Sequence, residues 1–534
     1  MSPSPWWESA VVYQIYPRSF MDSTGNGVGD LPGITARLGY VADLGVDAVW
    51  ISPFYVSPMR DFGYDVADYT DVDPLFGTLG DFDRLLEQAH RLGLKVIVDI
   101  VPNHTSDEHP WFIESRGSRS SPRRDWYVWR DPKPDGSPPN NWLGAFGGSA
   151  WEWDAATEQF YLHSFIPEQP DLNWRNAEVV EAMHDVYRFW LDRGVDGFRI
   201  DVAHRIMKDP DLRDNPPAPG SDGNFKDLGE YDTLHHIYDM GHLDIHQIYR
   251  DLRTVVDAYE PPRVLIGEVH IFDWAAWVAY YGADLDEMHL PFNFSLLYAA
   301  WDAATIRAKV DELEASLPDG AWPNYVLGNH DESRLATRFG PERARAAAVL
   351  LLTLRGTPTL YYGDELGMQQ VDIPPEDQQD PWARLEPALG RDGARTPMQW
   401  DASASAGFST APPDRLWLPL TPDHASTNVA VQQDDPTSIL TLYRKLLALR
   451  RGSTALTRGG YEPIDDVPTG VFAYYRTAGD DRMLIAINFS NSSVAVDTDA
   501  VRDAVPLISS ERQSANLRGS SLELSPNEAV LLRL

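Results

Sequence analysis

"KVIVDIVPNH" (residues 95–104) is apolar at almost every position until it breaks off in Pro-Asn-His. A strand with one wet face alternates apolar and polar residues, so a continuous run suits a strand covered on both faces, as in parallel sheets. The same look recurs along the chain in "AVVYQIYP" (10–17), "DAVWISP" (47–53), "GVDGFRID" (194–201) and "RVLIGEV" (263–269). It returns in a weaker "DEMHLPFNF" (286–294), in "NYVLGNHD" (324–331) and in "PTLYYGDE" (358–365). Helical patterns such as "GDFDRLLEQAHRLG" (80–93) and "AEVVEAMHDVYRFWLDRG" (177–194) lie between the runs. Eight buried strands alternating with helices predict an α/β fold, a (β/α)₈ barrel.

The remaining sequence hangs on this frame. Residues 105–170 follow the third strand, are rich in Trp, Pro, Gly and Ser, and read as an inserted domain. Residues 366–410 follow the eighth strand as a Pro-rich, acidic loop insertion, and 208–232 reads as a loop over the mouth. The barrel is thus assigned to 1–104 and 171–454. From 455 to 534, short strands such as "VFAYYR" and "MLIAINF" predict a C-terminal antiparallel β-sandwich.

Composition limits the partners. A formal net charge of −35 over 534 residues argues against nucleic acid and anionic membranes, which need a basic surface. With no cysteine, disulfides, thiol catalysis and cysteine-ligated zinc are excluded. "MSPSPWWESA" lacks the basic-then-apolar pattern of a signal peptide, and "AAAVLLLTL" (346–354) is too short to cross a bilayer. The expected location is the cytoplasm, the expected ligand small and neutral, and the expected assembly a monomer or homodimer. The 18 Trp and 23 Tyr suit stacking on sugars or an aromatic-rich core.

In such a barrel, chemistry sits at the C-terminal ends of the strands. Those ends read "DIVPNH", "GFRIDVAH", "GEV" and "GNHD", and bring Asp201, Glu268 and Asp331 to one mouth with His104, Arg199 and His330 beside them. Glycosidic cleavage needs paired carboxylates, one to attack the anomeric carbon and one to protonate the leaving oxygen. Arg199, two residues before Asp201 on a strand, points to the same side and should keep that acid ionised.

These four stretches resemble the ordered motifs of the α-amylase family, glycoside hydrolase family 13. "QPDLNW" (169–174), "YYGDELGM" (361–368) and "RDGARTPMQW" (391–400) resemble its α-glucosidase and oligo-1,6-glucosidase branch. The resemblance spans nearly the whole chain. It implies Asp201 as nucleophile, Glu268 as general acid and then base, and Asp331 as a group that holds the sugar's hydroxyls as the ring distorts. Glu268 would then stay protonated near neutrality. "RDFGYD" (60–65) supplies Asp61 and Tyr64, and the branch pairs such an aspartate with Arg391, or with Arg395, which would otherwise face the next sugar. His104 and His330 would hydrogen-bond sugar hydroxyls, and Phe146 and Phe165 would line apolar walls. Asp99 is left structural. An arginine–aspartate wall implies a closed pocket and cleavage from the non-reducing end.

The resemblance also implies a structural Ca²⁺ or Mg²⁺ in "DSTGNGVGD" (22–30), with no part in the chemistry. Asp22, Thr24, Asn26 and Asp30 would offer side-chain oxygens and Val28 its carbonyl. With few carboxylates the affinity should be modest; the alternative is a glycine-rich turn held by its own hydrogen bonds. Linkage indications conflict. Val202 after the nucleophile is associated with α-1,6 cleavage, whereas "DVAH" resembles α-glucosidases acting on maltose. The expected activity is a retaining, exo-acting α-glucosidase on maltose-like oligosaccharides, with glucosyl transfer as a side activity. Alternatives are an oligo-1,6-glucosidase, a sucrose- or trehalose-acting transferase or isomerase, and a non-catalytic relative resembling transporter subunits.

Overall fold

The computed structural model describes residues 4–218, 226–384, 386–511 and 514–534. Part of the expected mouth loop, 219–225, lies outside the described residues. Eight strands form the central sheet: β1 (Val12–Ile15), β2 (Ala48–Ile51), β3 (Lys95–Ile100), β4 (Gly197–Ile200), β5 (Val264–Gly267), β6 (Leu290–Pro291), β7 (Asn324–Val326) and β8 (Thr357–Tyr361). Their order is β6-β5-β4-β3-β2-β1-β8-β7, every neighbour parallel. A parallel bridge between Asn293 and Tyr325 joins the two ends and closes the barrel. The architecture is the expected (β/α)₈ barrel. The weakest strand of the sequence, 286–294, is a strand only at Leu290–Pro291. A proline there removes a ladder donor and shortens the pairing.

The main helices around the barrel are α1 (Leu31–Leu44), α2 (Leu79–Arg91), α3 (Ala177–Arg193), α4 (Ile245–Asp257), α5 (Trp274–Val278), α6 (Ala303–Ser316), α7 (Pro341–Thr353) and α8 (Ile439–Arg451). Their ends are written locally. Thr78 and Asp81 form a capping box at the start of α2, and Asn176 caps α3 while Gly194 ends it in the left-handed region. Alternate strand residues face opposite ways. Val12, Ala48, Trp50, Ile97, Val264, Ile266, Leu290 and Val326 fill the barrel lumen. Their chain neighbours Tyr13, Val49, Val96, Val98 and Leu265 join the larger core shared with the helices. Every barrel strand is therefore buried on both faces, which is why the runs lack alternation.

Between β3 and α3, strands Trp129–Arg130, Trp151–Asp154 and Gln159–Leu162 form a small antiparallel sheet. After α8, a five-stranded antiparallel sheet and a three-stranded one face each other across Val471, Leu484, Val530, Val496 and Leu522. The other face of the larger sheet, with Phe472, Tyr474, Ile485 and Leu531, joins the barrel's main core. Among the described residues no helix is long and apolar enough to cross a membrane.

Candidate active site

Two acids are the first residues past their strands. The Asp201 amide donates to the carbonyl of Ile100 at 2.8 Å, and the Glu268 amide to that of Ile200 at 2.9 Å. The ladder thus runs one step beyond each strand and fixes both backbones at the mouth. Gly267 must precede Glu268, because a Cβ there would lie 1.9 Å from the sulfur of Met288. Val202, next to Asp201, has φ of +35°, a strained conformation for a β-branched residue. That turn aims its amide at Glu268 Oε2, 2.8 Å away.

Arg199 lies beneath the acids. Its Nη1 donates to Asp201 at 2.6 Å and to Asp99 at 2.9 Å, and its Nη2 is 2.6 Å from Glu268 Oε2. It is 1% exposed and does not line the pocket, so it serves the carboxylates and not a sugar. Asp99, also held by Trp50 and Tyr64, anchors that guanidinium. Burial pushes Asp99 up to about 7 despite Arg199.

The protonation order differs from the sequence expectation. Burial raises Asp201 well above the usual carboxylate range, and Arg199 does not compensate because Glu268 and Asp99 press on it with like charge. Burial opposes ionisation of Glu268 too, but Arg199 and His270 overcome it and hold that carboxyl low. One cation is shared by three acids.

Asp331, five residues beyond β7, accepts from Arg391 and Arg395 at 3.0 Å each and lies 3.2 Å from His330. Burial opposes its ionisation; His330, Arg391 and Arg395 outweigh it and hold it well below the usual range. Burial lowers His330 to about 3, so at neutral pH the arginines carry that effect. His330 is fixed by Gln14 at 2.8 Å and by the Tyr64 hydroxyl at 2.6 Å, with the Tyr64 ring stacked on it. His104 contacts Gln169 and the Tyr64 carbonyl, and burial lowers it to about 4.

Arg391 closes one end. Its Nη2 donates to Asp61 at 2.7 Å, and its Nε and Nη2 grip Asp380 at 2.9 and 2.7 Å. Its guanidinium lies 4.9 Å from the ring centre of Phe146, which stacks on Trp382. Phe165 stands edge-on to Phe146 and His104. Arg395 does not face a second sugar. It is fully buried behind Asp331 and donates to the His330 carbonyl at 2.8 Å. A cavity of about 320 Å³ gathers Asp61, Tyr64, His104, Phe146, Phe165, Asp201, Glu268, His330, Asp331 and Arg391 on its lining.

The outer part of that cavity is lined by groups the sequence reading passed over: Tyr231, Lys226, Glu332, Trp382 and His270. Lys226 pairs with Glu332 at 2.8 Å and lies over Trp382. His270 Nε2 is 2.9 Å from Glu268 Oε1. Glu268 and His270 lie past the end of β5, where the strand period no longer holds, so no firm sequence signal marked this residue. Nothing in the acidic loop 366–410 singles out Asp380.

The opening loop is occupied by its own hydrogen bonds. Asp22 accepts from the amides of Thr24, Gly25 and Gly27 and from the hydroxyls of Thr24 and Ser409. Asn26 accepts from the Val28 amide, and Asp30 from the amides of Ser23 and Gly33, capping α1. Among the described residues no group of three or more His, Asp or Glu is placed to hold a metal. The all-oxygen donor set fits a hard cation in kind, but an ion would compete with bonds already made.

Comparison with known proteins agrees with the geometry. The family model of the alpha amylase catalytic domain matches residues 14–459. A probable alpha-glucosidase of Rhizobium meliloti (strain 1021) is 44% identical over 503 residues, 91% of this chain and 90% of that protein. An oligo-1,6-glucosidase of Parageobacillus thermoglucosidasius is 38% identical over 526 residues, 91% of each. The crystal structure of an alpha-glucosyl transfer enzyme, XgtA, is 44% identical with a TM-score of 0.94, covering 99% of this chain and 100% of that one. With an acid-lined pocket at the barrel mouth and these relatives, the chain belongs to the α-amylase family and is a glycoside hydrolase of its α-glucosidase branch.

Proposed function

We propose that the protein is a retaining, exo-acting α-glucosidase that removes the non-reducing glucose of maltose and short oligosaccharides, α-1,4 links before α-1,6. The observation that carries this is the Arg391–Asp61 pair, which walls off the pocket containing Asp201 and Glu268. A walled pocket takes a chain end and cannot thread a polymer. Asp201 attacks the anomeric carbon and forms a glucosyl-enzyme, while Glu268 protonates the leaving oxygen and then takes a proton from water. Two carboxyls bound to one guanidinium are close neighbours, as a covalent route needs. Turnover requires a proton on Glu268 and Asp201 bare beside Arg199. Asp331, Asp61 and Arg391 are placed to hold hydroxyls that move as the ring flattens. The likeness to a glucosyl transfer enzyme favours transfer to a second sugar as a companion activity.

A structural Ca²⁺ or Mg²⁺ belongs to the same reading. Asp22, Thr24, Asn26, Asp30 and the Val28 carbonyl would hold it, and it would brace the loop without touching the substrate.

The test is proton NMR of products from maltose, isomaltose, sucrose and trehalose. Release of α-glucose, fastest from maltose, is expected. Initial β-glucose would overturn retention, and preference for isomaltose would overturn the linkage assignment.

A further inference from the structure

The acid has two unlike oxygens. Glu268 Oε2 receives the Val202 amide at 2.8 Å and Arg199 Nη2 at 2.6 Å. An oxygen facing two donors, one permanently charged, has no place for a proton. The protonated form must therefore carry its proton on Oε1, and Oε1 faces His270 Nε2 at 2.9 Å. The imidazole is held flat on Phe294, ring centres 4.3 Å apart at 7°, and its edge lines the cavity. From the segment after β4, His204 stands 5.8 Å away, kept neutral by burial and by the charge of Arg205 behind it. Asp331, from the segment after β7, and Arg199, from β4, are the further charges acting on Glu268.

Resting on the assignment of Glu268 as the general acid, we propose that His270 stores the proton that Glu268 delivers. The two atoms can share one proton across that 2.9 Å contact while water reaches the pair. A sugar that covers the pair removes that water, and low polarity favours the neutral form of both partners. The proton passes from Nε2 to Oε1. It then goes to the glycosidic oxygen as Asp201 bonds to the anomeric carbon and the carbon–oxygen bond breaks. In the second half, water gives its proton to Glu268 and its oxygen to the sugar, Asp201 departs, and the proton returns to His270. His270 acts through Glu268 and touches no reacting atom, so it is a positioning residue.

The test uses leaving groups of different basicity on H270N and H270Q. Maltose needs its leaving oxygen protonated; 2,4-dinitrophenyl α-glucoside does not. Expected is a fall in kcat/KM of about 100-fold or more on maltose, within the range of general-acid contributions. The aryl glucoside should stay within about threefold, which also reports a folded pocket, and the basic limb of the maltose pH profile should move to lower pH. An equal fall on both substrates, or an unmoved basic limb, overturns the proposal. E268Q separates the two claims: if it spares maltose, the acid assignment itself fails whatever His270 does.

Discussion

Arg391 shows how much one side chain can be asked to do. Its four side-chain hydrogen bonds are shared among Asp61, Asp331 and Asp380, so its position is set by three loops at once. Asp380 holds it from behind with two side-chain contacts and also accepts the Arg391 backbone amide at 2.6 Å. D380N keeps the shape and removes the charge. The expected result is a 10- to 100-fold loss of kcat/KM on maltose, about 1.4–2.7 kcal/mol, carried mainly by KM. Kinetics with a wild-type circular dichroism spectrum would check it; wild-type KM would mean that Asp61 and Asp331 alone position Arg391.

At the scale of elements, the segment from Asp22 to α1 is a turn that holds itself and then caps a helix. Asp30 occupies one oxygen on Ser23 and the other on Gly33. An ion would have to compete with these bonds and with the five on Asp22, so a dissociation constant in the millimolar range is expected. Ten-millimolar calcium should raise the melting temperature by a few degrees, while micromolar calcium and EDTA leave it unmoved. Melting curves under the three conditions would decide. A collapse in EDTA would mean a tight site, and no response at any concentration would leave the turn without an ion.

At the scale of the molecule, barrel and C-terminal domain share one core. The Tyr474 hydroxyl meets Thr353 of α7 at 2.6 Å, Arg476 donates to the Thr353 carbonyl, and Phe489 packs on Trp301. Neither unit can open without exposing the other's apolar face, so one cooperative calorimetric transition is expected. Two resolved transitions would show that the C-terminal domain unfolds by itself. Charged side chains add to the coupling: Arg307 of α6 pairs with Asp465, and the Tyr461 hydroxyl donates to Asp311 at 2.6 Å.

The barrel was legible because burial on both faces is a local pattern, visible as unbroken runs such as "KVIVDIV". The acids were legible because a strand end is where a barrel must put its chemistry, and Asp201, Glu268 and Asp331 each sit beside one. The partners that shape the pocket were only partly legible. Asp61 and Arg391, 330 residues apart, were paired through the family resemblance alone, and Asp380 meets Arg391 through an irregular loop whose course no periodicity announces. The fate of Arg395, buried behind Asp331 instead of facing a sugar, depended on how that loop folds back. The order of protonation was further still from the sequence. It follows from burial and from the charges around each carboxyl, and those charges arrive from separate strands that only the closed barrel brings together.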